Sequence, residues 1–108
     1  MNIEDALTAQ LADYLPGRGT DKERELVDVI RHITPNFPPT FFMTATDDFL
    51  KNQAPILAAK LAAENVPFLY RYYGDSSNLL PHVFHCNIRS ADAKLCNDEE
   101  CEFFRKFL

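Results

Sequence analysis

The sequence predicts an α/β fold: two parallel strands in a βαβ unit, with two helices before it and a C-terminal helix after it. Three observations carry this. Phe41 to Thr46 is a continuous apolar run with little polar alternation, which suits a strand covered on both faces. Phe68 to Tyr73 is a second run, rich in β-formers. Between them, Lys51 to Val66 places Ala54, Leu57, Ala58, Leu61 and Ala62 on one helical face. Strand, helix, strand at this spacing is a crossover unit, expected to be right-handed with parallel strands.

The elements follow in order. Ile3 to Leu15 carries apolar residues at 3, 6, 7, 11, 14 and 15, a helical stripe, with Asn2 as the expected N-cap. Pro16-Gly17 stops that helix and Gly19 extends the turn. Thr20 and Glu23 form T-x-x-E, the signature of a capping box. A second helix is expected to about His32, with Leu26, Val27, Ile30 and Ile33 on one side. Pro35, Pro38 and Pro39 make the next stretch a stiff non-helical connector. In the helix after the first strand, Pro55 is tolerable only in the first turn, and Asn65 is a reasonable ending. Gly74 to Pro81 is a polar turn-forming loop. Asn97 with Glu100 reads as the start of the last helix, with Asp98-Glu99-Glu100 favouring its N-terminus and Cys101, Phe104, Phe107 and Leu108 on one stripe.

Bulk properties bound the function. At 108 residues the chain is one domain by length, with a helical segment 1–33 and a strand-bearing segment 38–108. Hydrophobic residues make up 46%, which places it among globular rather than disordered chains. A net charge of −5 argues against a general affinity for nucleic acid or anionic membrane. No apolar stretch approaches the ~18 residues of a membrane span, and the N-terminus lacks the pattern of a signal peptide. Cys86, Cys96 and Cys101 are an odd number, which fits buried or half-buried free thiols and a cytoplasmic location.

The chemistry lies beyond the strands. In open α/β sheets reactive residues gather past the C-terminal strand ends. Asp47 and Asp48 follow the first strand, and His82 lies in the loop after the second. Parallel neighbours bring those ends to one edge, where a carboxylate could accept a hydrogen bond from imidazole Nδ1–H. That leaves Nε2 free to take a proton from a hydroxyl nucleophile. Asp48 alone also has the chemistry of a helix N-cap.

Pro38-Pro39-Thr40-Phe41-Phe42-Met43-Thr44-Ala45-Thr46-Asp47-Asp48-Phe49-Leu50 resembles the acid segment of the α/β-hydrolase family. The nearest branch is the hormone-sensitive-lipase-like esterases and acetyl esterases, which carry P-P, an apolar strand, then D-P-L or a variant. Asp48-Phe49-Leu50 stands at that place, so Asp48 is preferred over Asp47. Tyr72-Tyr73-Gly74 followed by His82-Val83-Phe84 is similar to the family's Y-x-G…H-G-F ending, with Val83 where glycine is usual and a longer loop before His82. The likeness covers residues 38–88.

The resemblance implies a partial α/β-hydrolase fold, the C-terminal part of a carboxylic-ester hydrolase. Asp48 would orient and His82 would shuttle the proton, with no cofactor and no metal. The family's nucleophile elbow, G-x-S-x-G, is missing: only Gly17, Gly19 and Gly74 occur, and none frames a serine. A small acyl ester is then a substrate only when a nucleophile-bearing segment completes the site. The alternative is a non-catalytic interaction or oligomerisation module on the same scaffold. In either case the open edge of the first strand invites self-association into a homo-oligomer.

Other groupings have simpler readings. A zinc site drawn from His82, His85, Cys86 and Cys96 or Cys101 fits no standard spacing, and the cysteines read as small apolar packers. Ser76 and Ser77, near His82 in sequence, read as turn residues rather than a displaced nucleophile. Tyr70 and Tyr72 alternate, so one face of their strand is free to meet a helix.

Overall fold

The computed structural model describes residues 3–108. It forms two compact units, the first ending at His32 and the second running Ile33–Leu108. Asn2, the expected first N-cap, lies outside the described residues.

The first unit is helical. Helix α1 spans Ile3–Tyr14 and helix α2 spans Asp21–Val27. Between them, the Glu23 carboxylate gathers three backbone N–H groups, from Gly17 at 2.7 Å and from Gly19 and Thr20 at 3.0 Å. The Thr20 hydroxyl accepts from the Glu23 N–H in return, closing the capping box that the T-x-x-E spacing predicts. The Gly17 hydrogen bond, and those of Thr20 and Gly19 against a weaker opposing effect of burial, hold the Glu23 carboxyl below its ordinary range.

Helix α2 is shorter than its apolar spacing implies. Val27 and Asp28 are poor helix formers, and Asp28 leaves helical backbone at φ −77°, ψ 90°. A 3₁₀ turn at Val29–His32 follows, with His32 Nε2 at 2.8 Å from the carbonyl of Glu25. Leu26 and Val27, expected on a covered side, are exposed.

The second unit is an α/β layer structure. Strand β1, Thr40–Ala45, pairs in parallel with β2, Phe68–Tyr73, in a register running from Thr40↔Phe68 to Ala45↔Tyr73. Because side chains alternate along a strand, the two faces collect different residues. Phe42 and Phe68 pack with Ile33, Leu61 and Val66 on the side of α3, Ala54–Ala63. Met43, Ala45 and Tyr73 pack with Leu80, Phe84 and Cys96 on the side of α4, Ala91–Arg105. Both faces are covered, which is why Phe41-Phe42-Met43 can be apolar without alternation.

Helix α3 is shorter than the Lys51 to Val66 run. A 3₁₀ turn, Lys51–Gln53, precedes it, and Pro55 sits in its first turn. Asn65 ends it in left-handed backbone at φ 57°. Its N–H reaches Ala62 O and the Val66 N–H reaches Leu61 O, a Schellman closure that drives Val66 onto Leu61 in the core. Ala62, expected on the buried face, is exposed.

Helix α4 departs most from expectation. It starts at Ala91, not Asn97, because Ser90 accepts the Ala93 N–H at 3.1 Å as N-cap. Asn97 to Glu100 are therefore mid-helix. The buried side is Ala93, Cys96 and Phe103; Cys101, Phe104, Phe107 and Leu108 are exposed. Cys86 is exposed as well, so of the three thiols only Cys96 packs as a small apolar group. Among the described residues, no helix is long and apolar enough to cross a membrane.

Candidate functional site

The site begins where β1 ends. The Thr46 N–H bonds Tyr73 O at 3.1 Å, and the Asp47 N–H bonds Leu80 O at 2.9 Å. Asp47 and Pro81 form a parallel bridge, so the chain leading into His82 runs beside the chain leading into Asp48. The Asp48 N–H then turns back onto Ala45 O at 3.2 Å. The Thr46 side chain ties the two segments: its hydroxyl accepts the Leu80 N–H at 3.0 Å. Gly74 makes room for this crossing. It takes φ 89°, and a Cβ there would stand 2.6 Å from Thr46 Oγ1 and 2.7 Å from Asn78 O.

His82 is held between two buried pegs, Leu80 at 8% exposure and Phe84 at 6%. Phe84 packs on the Tyr73 ring at 5.4 Å, and its N–H bonds Pro81 O. The imidazole itself is only partly covered, with 40% of its side chain exposed.

Asp48 and His82 meet, although 34 positions apart: Asp48 Oδ1 lies 3.1 Å from His82 Nδ1. Asp48 is buried, and its other contacts satisfy it. Oδ1 also accepts the Leu50 N–H at 2.8 Å, and Oδ2 accepts the Thr44 hydroxyl at 3.2 Å. Burial pushes the Asp48 carboxyl up, but the hydrogen bonds from Leu50, His82 and Thr44 outweigh it and hold the group below its ordinary range. An ionised carboxylate is acceptor-only, so the proton of a neutral imidazole sits on Nδ1. Among the described residues nothing hydrogen-bonds Nε2, which keeps its lone pair for an incoming donor. The arrangement can orient an imidazole and stabilise the imidazolium that forms when Nε2 takes a proton.

Asp47 is exposed and contributes its backbone, not its carboxylate. Ser77 turns its hydroxyl to Asp75 Oδ1 at 2.7 Å, inside a tight turn closed by the Asp75↔Asn78 bridge. His85 Nδ1 is buried without a hydrogen-bond partner, and His85 Nε2 lies 4.0 Å from Cys86 Sγ. Among the described residues no three His, Cys, Asp or Glu side chains gather to hold a metal ion. Sequence reasoning gave no role to Thr44, Thr46 or Phe49. The available signal was a hydroxyl within the apolar strand, four positions before the acid. Phe49 places its ring 4.7 Å from the imidazole.

Comparison with known proteins adds no relative: no family model, no curated protein and no solved structure matches this chain.

Proposed function

We propose that this chain carries the orienting acid, Asp48, and the general base, His82, of a carboxylic-ester hydrolase, in a partial α/β-hydrolase fold whose nucleophile lies on another segment. The observation that carries this reading is the 3.1 Å contact between Asp48 Oδ1 and His82 Nδ1 beyond the C-terminal ends of two parallel strands. Val83 supports it. The family resembled has glycine after the histidine, and Val83 takes left-handed backbone here, φ 54°, where glycine is at ease. In the reaction, Nε2 removes the proton of a hydroxyl nucleophile as it attacks an acyl ester. Asp48 stabilises the imidazolium, which then returns the proton to the leaving alcohol. The 108 residues hold no G-x-S-x-G, so the chain alone hydrolyses little. The odd cysteine count supports a cytoplasmic setting.

The test is a fusion to the nucleophile-bearing N-terminal half of such an esterase, assayed on p-nitrophenyl acetate. Restored hydrolysis that His82→Ala abolishes supports the reading. Restored hydrolysis indifferent to His82→Ala removes this imidazole from the chemistry.

A second reading rests on the sheet. With only two strands, the outer edge of β1 has no strand partner among the described residues. We propose that this edge pairs copies of the chain into a homo-oligomer, with or without catalysis. Light scattering on a size-exclusion column decides: a monomer that persists at high concentration rejects it.

A further inference from the structure

We infer that Phe49 is the positioning residue of His82, fixing the angle of the imidazole about its hydrogen bond to Asp48. Tethered at Cβ and held by one hydrogen bond at Nδ1, the ring can still rock through coupled changes of its two side-chain torsions. Where Nε2 points then depends on a second contact. The Phe49 ring supplies one: its centroid lies 4.7 Å from that of the imidazole, with 52° between the planes. This is the tilted geometry in which aromatic pairs attract beyond the area they bury.

The backbone brings Phe49 beside the imidazole. Phe49 sits inside a turn tied at both ends to Asp48: Leu50 N–H to Asp48 Oδ1 at 2.8 Å, and Lys51 N–H to Asp48 O at 3.1 Å. The residue that grips Nδ1 therefore also aims the ring that walls the imidazole. Phe49 is 57% exposed, so packing into the core does not account for a phenyl group at this position. Its contact with His82 does. Calling this catalytic positioning rests on the hydrolase reading above; the ring restraint itself does not.

The experiment needs no hydrolysis. The full chain, labelled with ¹⁵N and ¹³C, is held at pH about 8, above the ordinary imidazole range. NMR then reads the His82 tautomer, its side-chain torsional order and the ring-current shift of its carbon-bound protons. In the parent chain we expect a dominant Nδ1–H tautomer and one ordered ring. Phe49→Ala should lose the ring-current shift and average the torsion while Asp48 keeps the Nδ1–H tautomer; Phe49→Tyr should restore the shift and the order. If Phe49→Ala does not fold, Phe49→Leu takes its place under the same criteria, without the ring current. An imidazole as ordered in Phe49→Ala as in the parent overturns the inference. So does a folded Phe49→Tyr that fails to restore it. Failure of the ester assay with an ordered, Phe49-dependent imidazole would sink the hydrolase reading and leave the positioning intact.

Discussion

Asp48, beyond the strand ends, and Glu99, on helix α4, are both carboxylates set against a positive or polar partner, and the partner makes them different. Glu99, on α4, pairs with Arg71 of β2 and accepts the Tyr73 hydroxyl at 3.3 Å. Burial pushes the Tyr73 phenol far up, and the hydrogen bond with Tyr73 together with the Glu99 charge raises Arg71. Neither partner changes protonation near neutrality, so that cluster can only hold the helix to the strand. Asp48 ends in an imidazole, the side chain whose ordinary titration spans neutral pH. It is half exposed, with one nitrogen occupied and the other open. The two carboxylates thus serve different ends, and the capacity for chemistry follows the partner that can exchange a proton near neutrality.

The sharpest way to break this comparison is to disable each cluster in turn. In a completed hydrolase, His82→Ala should lower the rate on p-nitrophenyl acetate by a factor on the order of 10⁴ or more, whereas Glu99→Gln should leave it within a few-fold; equal losses would erase the distinction. In the isolated chain, Asp48→Ala strands the Thr44 hydroxyl and the Leu50 N–H. Urea unfolding should show a loss of about 2–4 kcal/mol, from unmet buried hydrogen bonds and lost charge-assisted ones. Glu99→Gln keeps an acceptor for Tyr73 and should cost less.

Val83 offers a change of opposite sign. A β-branched residue in left-handed backbone is strained on the order of 1–3 kcal/mol. Val83→Gly should therefore raise the urea midpoint, reflecting roughly 1 kcal/mol of added unfolding free energy once the greater freedom of glycine in the unfolded chain is subtracted. A lower midpoint would show that the valine side chain, not the backbone angle, governs this turn.

The smallest effect is a pH dependence. The folded-state carboxyl of Asp48 is depressed, so its contribution is complete above its unfolded pKa, in the ordinary carboxylate range. That contribution fades as pH falls through the lower, folded value. Acid unfolding followed by circular dichroism should be less steep in Asp48→Asn than in the parent; identical profiles would mean that other carboxylates carry the acid response.

How much of this was legible in advance depended on how local the cause was. Thr20 and Glu23 announce their capping box because both partners lie in one turn. Asn65 ends its helix because few other residues accept φ 57° readily. The two apolar runs became strands with the expected pairing sense. The last helix starts earlier than its sequence implies, because Asn97 imitates a cap that Ser90 actually provides. Its apolar residues then suggested a face that packing left exposed: Phe104, Phe107 and Leu108 lie outside while Ala93, Cys96 and Phe103 lie inside. Spacing alone cannot say which of two apolar stripes meets the sheet.

The order of elements, the turn chemistry and the presence of an acid and an imidazole beyond consecutive strands were written in the chain itself, since each depends on near neighbours and on the period of its side chains. The meeting of Asp48 with His82, the Thr44 and Thr46 hydroxyls that secure it and the ring of Phe49 against it were decided only by tertiary structure. Those contacts join residues from separate turns and strands, and no pattern along one dimension encodes a distance or an angle between them.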